Sequence, residues 1–378
     1  MIEWEEKILK KVLFVATVVK THIMEFHVPY LKMFKEMGWE TAVAAKNDYE
    51  KPTDCVIPYC NTYYNVPFER FPVKPQNLKA YKILKKIIDN GEYDIIHCHT
   101  PVGAMLTRLA ALDARKKGTK VFYTAHGFHF YKGAPLINWL LYYPVEKWLA
   151  RYTDVLITIN KEDYERAKSF KAKKVYYVQG VGIDINRFNK KSNVNDNIRK
   201  EFGIAEDAIL LLSVGELNKN KNHKVVIEAL SRIKNSNIYY IICGRGPLMQ
   251  QYRQLANSLN VGNRVILTGY RTDVYKFYQV ADIFIFPSYR EGLPVSMIEA
   301  MYNSLPIICT NIRGSKDLVE NSSNIIIDNP KDIKAYEQGI LMLENEEMRL
   351  RLGNNNREKA CEFLLPQVIE IYKKIYEI

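Results

Sequence analysis

The chain has 378 residues and a formal net charge of +12, with 47% hydrophobic and 12% aromatic residues. This length favours two domains rather than one, and the apolar content is sufficient for two cores. The positive excess favours polyanionic partners: phosphorylated substrates, anionic membrane surfaces or nucleic acid. Nucleic acid ranks last among these partners, since neither a zinc-finger spacing nor the aromatic signature of an RNA-binding domain is found.

Cysteine usage and hydropathy limit the cellular compartment in which the protein is expected. Six cysteines occur without a C-x-x-C pair, which predicts reduced, buried thiols of a cytosolic protein. No run approaches the roughly 18 apolar residues of a membrane-spanning helix. The first residues, with Glu3, Glu5, Glu6 and Lys7, are too charged for a signal peptide. Together these observations predict a cytoplasmic protein.

Apolar runs alternate with helical patterns through the first half. Strands are predicted at 12–19, 41–45, 94–99, 120–124, 154–159 and 175–178, and helices at 24–37, 79–89, 101–116 and 137–151. This alternation predicts a parallel, doubly wound sheet.

The polar, asparagine-rich stretch from Asn186 to Asn197 predicts a linker. The alternation then restarts, with strands predicted at 209–214, 238–243, 265–267, 283–286, 307–310 and 324–327. Two doubly wound halves place the ligand crevice at the carboxyl ends of the strands. An amphipathic pattern over 367–378 predicts a closing helix.

The most informative stretch is Asp282 to Asn303, in which a strand, a polar turn and a helix follow one another. Pro294 suits the first turn of the helix, where a missing N–H costs nothing. A turn leading into a helix N-terminus is an anion site, because it offers backbone N–H groups and the positive end of the helix dipole. Glu291 and Glu299 bracket this site. The alternative is a buried strand and a helix with two surface glutamates.

A basic loop follows the strand at 209–214. Gly215 allows close backbone approach, and Lys221 can act as a point charge on a diphosphate. A solvated surface loop is the alternative.

Histidines mark strand ends in the first half. His126 follows the strand at 120–124 on the crevice side, although a satisfied core or surface histidine is the alternative. His97 and His99 share one face of a strand, as a metal-binding pair would, but no third ligand is evident in the sequence. We therefore expect His99 to line the crevice and His97 to lie in the core.

The segment from Trp139 to Trp148 carries many apolar groups for a surface helix. Packing on the sheet is one interpretation. The other is an interfacial membrane face, which is favoured by a lysine-rich helix in the same half. The lysines of that helix are Lys79, Lys82, Lys85 and Lys86.

The pattern E-G-L-P-x-S-x-x-E-A-M, beginning at Glu291, closely resembles the donor-site signature of retaining glycosyltransferases of family 4, which have the GT-B fold. The loops at 215–223, 243–248, 268–274 and 123–130 resemble further motifs of that family, so the resemblance covers nearly the whole chain. It implies an α/β protein with two Rossmann-like domains that face each other across a crevice. Residues 1–185 would bind the acceptor, residues 186–365 would bind a nucleotide sugar, and a C-terminal helix at 366–378 would pack on the first domain.

The resemblance also implies roles for individual residues. Glu291 would hold sugar hydroxyls, the amides after it the diphosphate, and Glu299 the ribose. Lys221 would stabilise the leaving diphosphate and His126 would position the transferred sugar, so that His126, Glu291 and Lys221 are the implied catalytic set. Arg271 would contact the base, unless its loop is an ordinary turn. The implied donor-binding set is Gly215, Lys221, Asn222, Gly244, Arg271, Glu291, Gly292, Leu293, Pro294, Val295 and Glu299.

Two positions depart from the family pattern. Glu216 stands where an arginine is common, which leaves Lys221 as the main cation on the phosphates. The loop after the first strand lacks the glycine pair of many members and has Lys20, Thr21 and His22 instead. We expect these three residues and His99 on the acceptor side, with Lys20 supplying charge.

The function implied is transfer of a sugar from a nucleotide sugar, most simply a UDP-sugar, to a glycan acceptor. The acceptor would be a polyprenyl-linked saccharide of capsule or exopolysaccharide biosynthesis, and the enzyme would sit peripherally on the inner face of the membrane. Family 4 retains anomeric configuration without a protein nucleophile. No D-x-D motif ends a strand, so neither a metal nor another cofactor is expected.

Two alternatives share this architecture. A sugar-nucleotide isomerase resembling UDP-N-acetylglucosamine 2-epimerase would need acid and base carboxylates in the first half, where no candidate pair is found. A non-catalytic GT-B subunit would not need the complete set of Glu291, Glu299, Lys221 and His126.

Overall fold

The computed structural model describes residues 9–188, 198–319 and 324–378. The described chain forms two compact units. The first comprises the described residues up to Val178 together with Ile371–Ile378, and the second is Gln179–Glu370. Most of the predicted linker at 186–197 lies outside the described residues.

The first unit is built on a seven-stranded sheet in which all neighbouring strands are parallel. The strand order is β3-β2-β1-β4-β5-β6-β7. Central strands are buried on both faces, as expected for a parallel sheet covered by helices, and all five residues of β4 are buried. The strands are β1 Lys11–Val18, β2 Glu40–Lys46, β3 Thr62–Asn65, β4 Ile95–His99, β5 Lys120–Ala125, β6 Val155–Thr158 and β7 Lys174–Tyr177.

The helices of this unit are α1 Met24–Phe26, α2 Val28–Glu36, α3 Gln76–Gly91, α4 Pro101–Ala110, α5 Leu112–Lys116, α6 Leu136–Leu149 and α7 Lys161–Ala167. Apolar residues of α3 and α4 form the main core with β1, β4 and β5. A separate group of aromatic side chains includes Phe14 of β1, Phe34 of α2 and Tyr376.

The second unit contains a six-stranded parallel sheet in the order β10-β9-β8-β11-β12-β13. Its strands are β8 Ile209–Val214, β9 Ile238–Cys243, β10 Val265–Gly269, β11 Ile283–Phe286, β12 Ile307–Thr310 and β13 Ile325–Ile327. Its helices are α8 Ile198–Glu201, α9 His223–Leu230, α10 Met249–Ser258, α11 Val274–Val280, α12 Val295–Tyr302, α13 Ser315–Leu318, α14 Ile333–Met342 and α15 Glu346–Ala360. The two parallel sheets confirm the predicted α/β class.

The last helix, α16 Leu365–Tyr376, ends within the first unit. Tyr372 packs edge-on against Tyr30, and Tyr376 packs against Phe34 and Phe122. The Tyr376 hydroxyl bonds to Nδ1 of His97, whose Nε2 lies 2.8 Å from Oγ1 of Thr124. His97 is therefore a satisfied core residue, in agreement with its predicted place.

Several helices differ locally from the sequence prediction. The helix expected at 24–37 is interrupted at His27 and is preceded by a π-helical turn, Val19–Ile23. The helix expected at 101–116 breaks at Ala111 into α4 and α5, and the sequence analysis did not identify α7. Element existence followed from apolar periodicity, whereas the positions of these breaks did not.

The six cysteines are free in the described structure. Cys98, Cys243 and Cys309 are buried as predicted, but Cys361 is exposed. No helix among the described residues is long and apolar enough to cross a membrane.

Candidate functional site

The strand order of the second sheet reverses direction between β8 and β11. Ligands of open α/β sheets bind beyond the carboxyl ends of the strands at such a point. The loop at 215–222 follows β8, and the turn at 287–294 follows β11. The two motifs that carry the donor-site prediction therefore flank the switch point of the second sheet.

An ion pair joins these two segments. Nζ of Lys221 lies 2.8 Å from Oε1 of Glu291, and the two side chains are 19% and 16% exposed. The same ammonium lies 4.8 Å from the ring centroid of Phe286 at the end of β11. A cation held beside an apolar ring and only partly hydrated interacts strongly with any anion that reaches it. A diphosphate at this place would compete with the Glu291 carboxylate for Lys221.

Backbone contacts hold the loop and the turn in register. The amide of Tyr289 donates to the carbonyl of Asn220 (2.8 Å), and the Asn220 side chain donates to the carbonyl of Arg290 (2.9 Å). Nε of Arg313 donates to the carbonyl of Glu291 (3.2 Å). The sequence analysis missed Asn220 and Arg313. The position of Arg313 just beyond β12 was the signal that could have identified it.

A glycine next to Arg313 makes this approach possible. Gly314 has φ +83°, and a Cβ there would lie 2.2 Å from the carbonyl oxygen of Gly292. Any larger residue would push the loop after β12 away from the turn. Gly314 thus positions the backbone beneath Glu291.

Helix α12 begins at Val295, and Pro294 is its N-cap, with φ −81° and ψ 105°. Pro294 was expected in the first turn, but its extended backbone places it one position earlier. The carbonyl of Pro294 already accepts hydrogen bonds from the amides of Met297 and Ile298. The positive end of the helix dipole therefore points toward the turn that contains Glu291.

Glu299 lies one turn further along α12. Its Oε2 lies 3.0 Å from the Tyr278 hydroxyl, which also lies 3.1 Å from the carbonyl of Ser296. Tyr278 is buried, so it fixes the orientation of the half-buried Glu299 carboxylate. The sequence analysis did not identify Tyr278, which lies on a different helix.

Two glycines of the donor set act through backbone packing. A Cβ at Gly244 would lie 1.8 Å from the carbonyl oxygen of Gly215, so the ends of β8 and β9 require a glycine there. The backbone amide of Gly215 donates to the carbonyl of Cys243, and that of Gly244 donates to the carbonyl of Gly269. At Gly215 an added Cβ would lie 3.2 Å from Cε of Lys221, so glycine leaves room for that side chain.

Three other residues of the predicted donor set have structural partners. The side-chain amide of Asn222 (Nδ2) donates to the backbone carbonyls of Pro287 (3.1 Å) and Pro330 (2.7 Å). Leu293 is buried and packs where a side chain on Gly180 would otherwise lie. Arg271 forms ion pairs with Glu201 (2.9 Å) and Asp273 (2.8 Å). Arg271 was expected to contact a nucleotide base, and its guanidinium already has two carboxylate partners.

The first sheet has its own switch point, between β1 and β4. The turn after β1 contains Lys20, Thr21 and His22. Oδ1 of Asp48 accepts a hydrogen bond from the Lys20 amide (2.6 Å), and Oδ2 accepts one from the Thr21 hydroxyl (3.1 Å). Lys20 and Thr21 were expected on the acceptor side. Asp48 already satisfies the Lys20 backbone amide and the Thr21 hydroxyl, and Nζ of Lys20 lies 5.4 Å from the ring centroid of Tyr49.

Four imidazole rings lie beyond the same strand ends. They belong to His22, His27, His99 and His126, and one ring nitrogen of each lies within 4.8 Å of the others. Nε2 of His126 lies 3.4 Å from Nδ1 of His99, and the rings of His27 and His99 stack at 3.8 Å. No third ligand was evident in the sequence beside His97 and His99, because His22, His27 and His126 are distant from them in the chain. The structure brings these three residues to His99 and leaves His97 outside the group.

Burial keeps these rings uncharged. Desolvation lowers the pKa of His126 to about 4, and burial likewise lowers the pKa values of His22 and His27 well below the usual value. The pKa of His99 falls well below its usual value, first through desolvation and then through its histidine neighbours. At neutral pH, His126 can donate or accept a hydrogen bond but supplies no positive charge. His99 is only 1% exposed, so it lies behind the surface that it was expected to line.

Helix α6 presents apolar residues on two faces. Trp139, Tyr142 and Tyr143 pack against the core of the first unit. The opposite face is exposed, by 71% at Leu140 and 44% at Trp148. The two interpretations of this helix thus apply to different faces.

Family models match both halves of the chain. The model described as glycosyl transferases group 1 matches residues 194–359, and the model described as glycosyl transferase 4-like matches residues 11–160. The chain is also 42% identical to the "Putative glycosyltransferase EpsD" of Bacillus subtilis (strain 168) over 373 residues, which cover 97% of this chain and 96% of that protein.

Two further proteins are similar along most of the chain. A UDP-Gal:alpha-D-GlcNAc-diphosphoundecaprenol alpha-1,3-galactosyltransferase of Escherichia coli is 28% identical, with 79% of this chain and 78% of that protein covered. The crystal structure of Anabaena Alr3699/HepE in complex with UDP and glucose matches with a TM-score of 0.78 at 18% identity. That match covers 98% of this chain and 100% of the other. These similarities confirm the GT-B fold and do not favour the isomerase alternative. The chain belongs to the GT-B glycosyltransferases of the family 4 type.

Proposed function

We propose that this glycosyltransferase moves a sugar from a UDP-sugar to a polyprenyl diphosphate-linked saccharide, with retention of anomeric configuration, during synthesis of a capsule or exopolysaccharide. The observation that carries the proposal is the Lys221–Glu291 ion pair beside the N-terminus of α12. The similar Alr3699/HepE was crystallised with UDP and glucose, and the name of the similar E. coli enzyme specifies a UDP-sugar donor and a diphosphoundecaprenol acceptor. Both support a UDP-sugar donor, and the name of the E. coli enzyme supports the polyprenyl diphosphate-linked acceptor.

Departure of the nucleotide is the step that needs the most electrostatic help, since negative charge develops on the diphosphate as the sugar bond breaks. Lys221 and the amides at the start of α12 supply positive charge there. The charge is preorganised, because Glu291 and Phe286 hold Lys221 in place before the donor binds. Once the diphosphate takes Lys221, the Glu291 carboxylate is available to accept hydrogen bonds from sugar hydroxyls.

Glu299 binds the two ribose hydroxyls in this proposal, and Tyr278 keeps its carboxylate in position. In the first unit, His126 positions the transferred sugar as a neutral imidazole. No protein nucleophile takes part, so the acceptor hydroxyl attacks on the face from which UDP leaves. No metal ion is needed on the diphosphate.

Attachment to the inner face of the cell membrane is the remaining part of the proposal. The exposed face of α6 consists of Leu136, Ile137, Leu140, Leu141, Val145 and Trp148. Exposed basic residues Lys132, Lys147 and Arg151 lie beside it in the chain. Apolar side chains flanked by cations suit the boundary between anionic headgroups and acyl chains. On α3, Lys85 is paired with Asp89 and Asp113, so three of the four predicted lysines contribute there.

The test is incubation with a panel of UDP-sugars, with and without undecaprenyl diphosphate-linked saccharides, followed by identification of products and their anomeric configuration. Transfer with retention supports the proposal. An epimerised donor would indicate an isomerase, and absence of any turnover would indicate a non-catalytic subunit. Glu344→Gln, an exposed position in the second unit, is the matched control for substitutions at the site.

EDTA tests the role given to Lys221. Turnover should persist after chelation, because the ammonium and the helix amides neutralise the diphosphate. Loss of turnover that Mg²⁺ or Mn²⁺ restores would overturn that assignment.

A further inference from the structure

The four-histidine group is assembled from three separate segments of the first unit. His22 lies in the turn after β1, His27 lies between α1 and α2, His99 ends β4, and His126 follows β5. The strands β1, β4 and β5 are neighbours in the sheet, so their carboxyl ends bring the three segments to one place. No carboxylate or thiolate belongs to the group among the described residues.

Two rare backbone conformations hold the rings together. The turn at Val19–Ile23 is π-helical, and the amide of Met24 donates to the carbonyl of Val19. Such turns are uncommon and occur frequently at functional sites. In this protein, the ring centroids of His22 and His27 lie 5.0 Å apart. After His99, Thr100 has φ +62°, and its hydroxyl lies 2.6 Å from that of Thr17.

The ring nitrogens of this group are incompletely satisfied. Nε2 of His22, His27 and His99 is buried and has no hydrogen-bond partner among the described residues. By contrast, both nitrogens of the neighbouring His97 have partners, Tyr376 and Thr124. Buried nitrogens without partners are costly in a native protein, and a bound ion or an ordered water is the usual explanation.

The spacing of the nitrogens suits a tetrahedral ion. Zinc binds histidine nitrogen at about 2.0–2.1 Å, which places two nitrogens of a tetrahedron roughly 3.3–3.4 Å apart. Nε2 of His126 and Nδ1 of His99 are separated by 3.4 Å, so His99 would bind through Nδ1, and its unpartnered Nε2 does not bear on the ion. One nitrogen of each of the four rings lies within 4.8 Å of the others, so the four nitrogens surround a common point.

We propose that His22, His27, His99 and His126 bind a divalent transition-metal ion of the zinc class. Imidazole ligands suit Zn²⁺, Ni²⁺ and Cu²⁺, whereas Mg²⁺, Ca²⁺ and Mn²⁺ prefer oxygen ligands. The ion ties the turn after β1 to the ends of β4 and β5. The site lies within the first unit and does not depend on the diphosphate chemistry proposed for the second.

The experiment uses the full chain without a histidine tag, stripped of metal with a chelator and titrated with Zn²⁺ against a chromogenic chelator. About one Zn²⁺ per chain is expected. His22→Gln and His126→Gln, both at half-buried rings, should each weaken Zn²⁺ binding more than about tenfold, because each removes a direct ligand. His129→Gln is the matched control, since His129 is close in the chain, stacks on Tyr142 and lies outside the group.

Circular dichroism confirms that each variant is folded. The absorption spectrum of the Co²⁺-loaded wild type is a second test that does not depend on how the variants fold. We expect a spectrum typical of tetrahedral coordination by nitrogen. A wild type that binds no Zn²⁺, an octahedral Co²⁺ spectrum, or equal loss of Zn²⁺ in His129→Gln would overturn the proposal.

Turnover after chelation distinguishes a metal ion on the diphosphate from a metal ion at the histidines. Restoration by Zn²⁺ but not by Mg²⁺, in wild type and not in His22→Gln, locates the effect at the histidines. Restoration by Mg²⁺ contradicts the role of Lys221 and leaves the Zn²⁺ stoichiometry as an independent result.

Discussion

The two units place different chemistry at equivalent positions of similar sheets. At the switch point of the first sheet lie neutral imidazoles, and six of the seven histidines of the chain belong to that unit. At the switch point of the second lie opposite charges, Lys221 with Glu291. Burial suppresses charge on the histidines, whereas pairing preserves charge on the lysine and the glutamate. In the proposed function, the histidines of the first unit would position the sugar and the charged pair of the second would stabilise the leaving group.

The comparison is sharpest at Lys221. Lys221→Ala should lower turnover about 10²–10³-fold, as loss of one preorganised charge-stabilising group does in other enzymes. The initial rate of UDP release measures this. Lys219→Ala, an exposed lysine in the same loop, is the control and should retain near wild-type turnover. Equal losses in the two variants would mean that general basicity of the loop is what matters.

In the metal-free chain, acid should affect the first unit before the second. A buried histidine whose folded pKa lies below 6.5 stabilises the fold fully above pH 6.5, and this stability is lost as pH falls toward the folded pKa. For His126 the window runs from about 6.5 to about 4, and the loss reaches about 3 kcal/mol at its lower end. The second unit has one such residue, His223, whose burial lowers its pKa to about 3.

Tryptophan fluorescence reports on the first unit and not on the second. Of the four tryptophans, Trp39, Trp139 and Trp148 lie in the first unit, Trp4 lies outside the described residues, and the second unit has none. The fluorescence transition is expected at higher pH than the change in far-ultraviolet circular dichroism. Coincident transitions, or a fluorescence change that comes second, would contradict the difference drawn between the units.

Glu299 tests whether the charge in the second unit also binds the nucleotide. Glu299→Gln should weaken UDP binding about 10- to 100-fold, since a hydrogen bond to a charged group contributes about 1.5–3 kcal/mol. Calorimetry measures the affinity, with Glu344→Gln as the control. Unchanged affinity in a folded variant would remove Glu299 from the donor site.

The smallest effect is expected at the exposed face of α6. Leu140→Gln should weaken binding to anionic vesicles about tenfold, because it removes a large apolar side chain from the interface. Flotation at low and high salt measures this, and binding should fall at high salt. Leu350→Gln in α15 is the control, since Leu350 is 61% exposed in the other unit. A wild type that stays unbound at low salt would contradict membrane attachment.

Local pattern determined much of this protein. The predicted strands at 238–243, 283–286 and 307–310 coincide with β9, β11 and β12, because strands buried on both faces are continuous apolar runs between turns. The turn and helix around Glu291 followed from proline, glycine and helix-start signals in adjacent residues. The family resemblance rested on the same short motifs and was confirmed.

Tertiary structure decided which residues meet. The pairing of Lys221 with Glu291, the burial of Arg313 beneath the turn and the support of Glu299 by Tyr278 each join segments far apart in the chain. The approach of His22 and His27 to His99 likewise depends on β1 and β4 being neighbours. Periodicity records which face of an element is apolar, but the order of strands in a sheet brings distant polar residues together.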